Sequence, residues 1–428
     1  MNFWNQPFVK KTVTVSIFLT LSVGIFLRIN NLNNVNYRTP DEVTYTYQAT
    51  EIARFGTGAV KILVSEYNND NRSWFYPSPI RIGYIGLVAV IMKMTHTLGD
   101  ERAGAYVACF FSIIGLLILI AAGLKFLNPY ITLFGLIFLS VSPMDLAIAR
   151  RAWQDAMLGC LAALLIYLSC AITSSRRKII LYALFVFTGS YCILIKESGT
   201  IIYTICLLWV LWMLSVKKRL FPEGVFLTTA SILGGCLSIT VLAYIGGGFP
   251  VIIEALKHHL GSIPNNQYAL IYQSGPWYNL PLGLWIVDPV NTILCLIGTI
   301  TALFNGVSNL KNLDEQDYEK RFAVPGIAFF MIAFLAITML APHCQNLRYL
   351  SVLYVPFYLM AGLGLWRFIL FCKNRKNTLL FMIIAAAVFG IIITTAIGNY
   401  LIFKNLFVDV GLNDLSVNLL KKYALIVR

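Results

Sequence analysis

Two adjacent carboxylates, Asp41 and Glu42, stand directly behind a proline in the string Tyr37-Arg38-Thr39-Pro40-Asp41-Glu42-Val43-Thr44-Tyr45, a few residues beyond the first apolar run. Strong acids at the edge of a membrane-spanning stretch are costly to keep and point to use. A carboxylate so placed could take a proton from an attacking group as a general base. Other residues able to do chemistry recur at the ends of apolar runs: Arg150-Arg151 with Asp155, Lys196-Glu197, His258-His259, His343 and Arg348-Tyr349. Charges of both signs gathered in this way suit a site that handles an anionic group and a proton.

Each of these residues also has a structural reading. Pro40 disfavours helix at Thr39, so a helix is expected to begin near Asp41, whose carboxylate could do no more than cap it. Arg151 and Asp155 have the spacing of an intrahelical ion pair. Lys196-Glu197 could be an interfacial snorkelling pair, although adjacent residues do not face each other on a helix. His258-His259 could be polar loop residues, because a metal site would need further ligands that the sequence does not mark. Arg348 could simply anchor the start of an apolar helix.

The elements that must position these residues follow from composition. The chain is 58% hydrophobic and 12% charged, whereas a soluble domain carries roughly 25% charge. An all-α polytopic membrane protein is the class that fits. The formal net charge of +14 comes from short basic clusters between apolar runs, which are topology signals and anionic-lipid contacts rather than a nucleic-acid face. The nine cysteines show no CxxC or metal-like spacing. All but Cys344 lie in or at the ends of apolar runs, as packing residues.

The first apolar run, 12–27, is followed by no small-residue cleavage site and is taken as a retained helix with its N-terminus inside. Further runs cover 82–98, 103–124, 127–141, 156–173, 179–195, 199–216, 224–246, 289–306, 322–341, 350–371 and 378–403, several of them reaching the roughly 20 residues a spanning helix needs. Basic loops at 174–178, 217–219, 311–321 and 373–376 all fall on one side, the inside. Asp41, 150–155, Lys196-Glu197, 247–288, 342–349 and the tail 404–428 are then outside. Parity requires one run not to cross. The run 82–98, broken by Lys93 and His96, is read as a re-entrant or surface helix, leaving about eleven spanning helices (11–13). Residues 1–428 form one integral-membrane unit. Within it, 28–81 is a first outer loop with an amphipathic juxtamembrane helix ending near Phe55-Gly56, and 247–288 is a second large outer loop.

The Pro40-Asp41-Glu42-Val43-Thr44-Tyr45 string, placed just after the first membrane helix, resembles the first outer loop of GT-C glycosyltransferases. These are membrane enzymes that use polyprenyl-phosphate sugars, among them the aminoarabinose transferases and the protein O-mannosyltransferases. Tyr76-Pro77-Ser78-Pro79-Ile80 stands where many members have a proline element. The segment from Ser142-Pro143 through Arg150 to Asp155 looks like their Ser-Pro, Arg and Asp region. Lys196-Glu197-Ser198-Gly199 resembles their Lys-Glu turn, and Arg348-Tyr349 with Pro356 their late Arg-Tyr helix. The likeness runs to about Gly364.

The resemblance implies a GT-C-type helical bundle whose site faces outward, from a bacterial cytoplasmic membrane. It implies sugar transfer from a polyprenyl-phosphate donor to a lipid, glycan or protein acceptor by an inverting single displacement. Asp41 would be the general base, with Glu42 beside it. Lys196, Arg348 and Arg151 would hold the donor phosphate, and Asp155, Glu197, Tyr45 and Tyr349 would support them. Tyr76, His258, Trp277 and Tyr278 are candidate sugar or acceptor contacts. No cofactor is required; Asp41 and Asp155 could share a divalent ion, but hard cations want more oxygen ligands than these supply. Two departures matter. The aminoarabinose transferases carry a Lys beside the proline element where this chain has Tyr76-Pro77-Ser78. No soluble outer domain is expected after the last apolar run, so acceptor recognition would fall to 28–81 and 247–288. A lipid or polysaccharide transporter would explain the helices without chemistry, but the internal repeat common in transporters is not visible.

Overall fold

The computed structural model describes residues 7–32, 38–172, 178–216, 220–308, 318–341, 343, 345–373 and 378–405. Every regular element among them is helical. In chain order these are α1 (Pro7–Ile29), α2 (Pro40–Phe55), α3 (Gly58–Asn69), α4 (Ile82–Thr95), α5 (Arg102–Phe126), α6 (Pro129–Ser140), α7 (Pro143–Ile148), α8 (Asp155–Ile172) and α9 (Lys178–Ile195). They continue with α10 (Ser198–Val216), α11 (Val225–Gly246), α12 (Phe249–Ser262), α13 (Gln267–Tyr272), α14 (Asn279–Val287), α15 (Pro289–Ser308), α16 (Tyr318–Leu340), α17 (Tyr354–Lys373) and α18 (Thr378–Phe403).

Among the described residues nine helices are long and apolar enough to cross a membrane, and a tenth crossing exists if α14 and α15, bent by 119°, act as one span. The chain is an integral, multi-pass membrane protein. The run 127–141 accounts for the remaining difference from eleven. Asn128 caps α6 by accepting from the Ile131 amide at 2.9 Å, and Ser142 with Pro143 starts α7. The 12 residues of α6 span only about 18 Å at 1.5 Å per residue.

The run 82–98 becomes the 14-residue α4, about 21 Å long and short of the roughly 30 Å hydrocarbon core. One side of it is exposed, with Val90, Lys93 and Met94. Tyr84, Ile85, Val88 and Met92 are buried, against neighbours that include α2, α5 and α9. The basic loops used to assign the inside, 174–177, 217–219, 311–317 and 374–376, lie outside the described residues, as do Tyr37, Cys344 and the tail beyond 405.

At the centre stands α8, buried on nearly every side, against α5, α9, α10 and the 3-10 turn Leu347–Leu353 that leads into α17. Peripheral helices α1, α11 and α18 leave most of their apolar surface exposed, as a lipid-facing helix should. The helix α1 extends through Arg28, the first residue expected in the following loop, and buries it. That guanidinium donates to Ser112 Oγ at 2.6 Å and pairs with Asp145. Arg150 then closes the end of α1, donating to the carbonyls of Leu27 at 2.9 Å, Asn30 at 2.7 Å and Asn31. A cation at a helix C-terminus satisfies carbonyls that the helix leaves unpaired.

The helix expected to end near Phe55-Gly56 is α2, but its buried face is largely polar, with Glu42, Thr46, Gln48 and Thr50 beside Tyr45 and Ala49, and Phe55 is exposed. α3 buries Ala59, Val60, Leu63, Val64 and Tyr67 against neighbours that include α11 and α12. The segments 28–81 and 247–288 therefore meet, since α12 belongs to the second.

Candidate active site

The site is built from the start of α2. Glu42, not Asp41, closes that helix end: its Oε2 accepts from the Thr39 amide at 2.8 Å and from Thr39 Oγ1 at 3.1 Å. Its carboxylate also pairs with Arg151 at 3.1 Å and Arg38 at 3.0 Å and accepts from the Ala152 amide at 2.9 Å. Both Glu42 and Arg151 are fully buried. The expected Arg151–Asp155 pair is replaced by Arg151–Glu42, and neither residue lines the cavity described next. Glu42 staples α2 to the segment before α8, which turns Asp41 outward.

Asp41 lines a cavity of about 870 Å³ together with Arg81, Asp155, Lys196, Glu197, Arg348 and Tyr349. Its Oδ2 accepts from Arg348 Nη2 at 2.9 Å, and Oδ1 makes no hydrogen bond within the described residues. Arg348 rests over the Trp153 ring at 4.9 Å, and Arg151 over the same ring at 4.9 Å. Lys196 Nζ donates to Asp155 Oδ1 at 3.0 Å and sits 4.0 Å over the Tyr349 ring. An ammonium has three donors, so Lys196 retains capacity for a further acceptor.

Two glycines let these cations converge. A Cβ on Gly199 would lie 2.1 Å from Cys192 O, so the turn between α9 and α10 that carries Lys196-Glu197 closes only with glycine there. A Cβ on Gly159 would lie 2.7 Å from Ser351 O, so α8 approaches the turn bearing Arg348 equally closely. Small residues at such crossings are what membrane helices use to bring backbones together.

A second charged group also lines the cavity. Arg81 donates from Nε to Glu197 Oε1 at 3.1 Å, from Nη2 to Glu197 Oε2 at 2.9 Å, and from Nη1 to Tyr45 OH at 2.9 Å. His259 Nε2 is 2.8 Å from Arg81 Nη2. Burial alone would raise the Glu197 carboxyl, but the Arg81 guanidinium and then His259 outweigh it and hold it at about 2. Burial lowers His259, the Arg81 charge lowers it further, and Glu197 only partly opposes them, leaving it at about 4.

The residues expected from sequence thus divide. Asp41, Lys196, Arg348, Asp155, Glu197, Tyr349 and Tyr76 all line one cavity. Tyr45 is buried behind it, holding Arg81 and packed edge-on to Tyr84 at 5.2 Å. His258 lies on a neighbouring groove, stacked on Trp74. Trp277 and Tyr278 contact each other at 5.8 Å, exposed and away from the cavity. Arg81 escaped the sequence reading as a site residue, and of the His258-His259 pair that reading chose His258 as the contact, whereas His259 lines the cavity. Arg81 stands at the head of an apolar run and looks like an anchor. Successive residues on a helix point about 100° apart, so only one of two adjacent histidines can face the cavity. Among the described residues no three His, Cys, Asp or Glu side chains gather as a metal site, and Asp41 and Asp155 are each engaged by a cation.

Comparison with protein-family models and with curated protein sequences finds no match. Solved structures do match. ArnT from Cupriavidus metallidurans bound to undecaprenyl phosphate aligns over 95% of this chain and 75% of its own, at 12% identity and a TM-score of 0.57. Its apo state aligns over 96% and 76%, at 13% identity and a TM-score of 0.53. The archaeal oligosaccharyltransferase AglB from Archaeoglobus fulgidus, in complex with an inhibitory peptide and a dolichol-phosphate, aligns over 92% of this chain and 56% of its own, at 11% identity and a TM-score of 0.58. The fold is of the GT-C type. In this GT-C-type bundle the charged cavity is formed where the segment after α1 meets the ends of α8, α9 and α10 and the turn before α17.

Proposed function

We propose that this chain is a glycosyltransferase that moves a sugar from a polyprenyl-phosphate donor to a lipid, glycan or protein acceptor at the outer membrane face. The observation that carries the reading is that Asp41, Arg348 and Lys196 share one cavity, with the carboxylate 2.9 Å from Arg348. That is a base beside the cations a departing phosphate needs. The cavity, at about 870 Å³, is in the range of small-molecule sites. Two of the similar structures hold undecaprenyl phosphate and a dolichol-phosphate, which supports this donor class.

In the proposed step an acceptor hydroxyl or amine attacks the anomeric carbon. The new bond forms as the bond from that carbon to the phosphate oxygen breaks, and the electron pair leaves with the phosphate. The attacking group's proton passes to Asp41, whose Oδ1 is free to receive it. Arg348, a planar fork suited to phosphate oxygens, and Lys196, a point charge, stabilise the charge that builds on the leaving group. Asp155 and the Tyr349 ring hold the ammonium in place. A single displacement inverts the anomeric centre, and no step requires a metal.

The test is transfer by the purified protein in lipid, with radiolabelled polyprenyl-phosphate sugars and a membrane extract as acceptor. Asp41→Asn should lower transfer by about 10²–10⁴-fold, the usual worth of a general base, while retaining donor binding. Full activity in that variant would remove Asp41 as the base. Donor carried across the bilayer unconsumed, by wild type and variant alike, would replace the enzyme with a transporter.

A further inference from the structure

Phe75 lines both the cavity and a second groove of about 420 Å³ between the loop after α1 and α12. One wall is aromatic: the Trp74 and His258 rings stack with centroids 3.9 Å apart and planes 10° from parallel. That wall is held from behind. The Trp74 indole N–H donates to Tyr67 O at 2.8 Å, and its carbonyl accepts from Ser262 Oγ at 2.7 Å. Arg72 and Lys257 also line the groove, as do the amide side chains of Asn71 and Asn265. Neither cation forms an ion pair within the described residues.

We infer that this groove binds an anionic oligosaccharide, the acceptor glycan whose end enters the cavity; the acceptor role rests on the transferase reading, the binding does not. Sugar rings present apolar C–H faces to aromatic walls. Side-chain amides both donate to and accept from hydroxyls. Two unpaired cations suit carboxylate or phosphate groups on the chain. A lipid tail would want none of these polar groups, which leaves an anionic lipid headgroup as the competing source of the same charge.

Gly261 makes the proposal testable without disturbing the fold. It lies on the groove, and a Cβ built on it meets no atom within 4 Å, so Gly261→Trp fills the space. Binding of a hyaluronan tetrasaccharide would be measured by calorimetry in phosphatidylcholine nanodiscs, with neutral maltotetraose as control. The wild type should bind hyaluronan at least about tenfold more tightly than maltotetraose. Gly261→Trp and the Arg72→Ala/Lys257→Ala pair should each weaken it by about tenfold or more, the scale of losing a charge-assisted contact. No hyaluronan binding, equal binding of the neutral sugar, or full binding in Gly261→Trp overturns the proposal. Loss of binding when phosphatidylglycerol is added gives the groove to a lipid headgroup and overturns it too. The measurement needs neither donor nor turnover, so failure of transfer and failure of the groove are separately visible.

Discussion

Asp41 and Glu42 are neighbours with opposite fates. Glu42 is fully buried and engaged by Arg38, Arg151, Thr39 and the Ala152 amide, whereas Asp41 faces the cavity with one oxygen uncommitted. Truncating Arg151 strands a buried charge, so Arg151→Ala should cost about 3–5 kcal/mol of stability. A thermal melt showing Arg151→Ala as stable as wild type would contradict that assignment. Lys196 behaves differently because it borders open space. Lys196→Gln keeps a donor for Asp155 and removes only the charge, so donor affinity should fall by about 10- to 100-fold, in line with the roughly 1.5–3 kcal/mol of a hydrogen bond to a charged group. Unchanged donor binding in a filter assay would take Lys196 out of the phosphate site.

Elements explain why these residues meet. The α9–α10 turn brings Lys196 and Glu197 to the cavity only because Gly199 allows Cys192 O to approach its α-carbon closely. Gly199→Val should push the two helices apart, lower the melting temperature and reduce transfer together. A variant that melts normally yet loses activity would point instead to a local role for the side-chain position. Loop parity, with Lys93 and His96 interrupting the run, made 82–98 a re-entrant or surface segment. As the 14-residue α4 it is not among the helices long enough to cross, and Lys93 lies in its last turn with His96 just beyond, while Tyr84, Ile85, Val88 and Met92 pack inside. Equally, 127–141 was legible as apolar but not as a short helix stopped before Pro143, because the stop depends on the Ser142 cap.

The whole molecule joins the segments 28–81 and 247–288 through Arg81, Glu197 and His259. His259, held at about 4, stays neutral in the fold while the unfolded chain takes up a proton near the ordinary value of 6.5. Its contribution is therefore complete above about pH 6.5 and is lost as pH falls toward 4. Glu197, held at about 2, contributes fully above its ordinary range and loses that contribution as pH falls from about 4.5 toward 2. The melting temperature should decline as pH is lowered from 7 to 4, and His259→Gln should flatten the upper part of that decline. A parallel slope in the variant would detach His259 from it.

Composition and hydropathy by themselves determined the membrane class, most of the crossings, the presence of a helix ending near Phe55-Gly56 and the clustering of charges at helix ends. These are local properties, set by solvent and by residues a few positions apart. Which charge meets which was decided only by tertiary structure. Arg348 lies 307 residues from Asp41, Glu197 lies 116 from Arg81, and Lys196 lies 41 from Asp155. Nothing in local spacing selects those partners over the Arg151–Asp155 pair that spacing favoured. Helix packing selects them, because a buried charge must find its counter-charge among whatever the fold brings within reach.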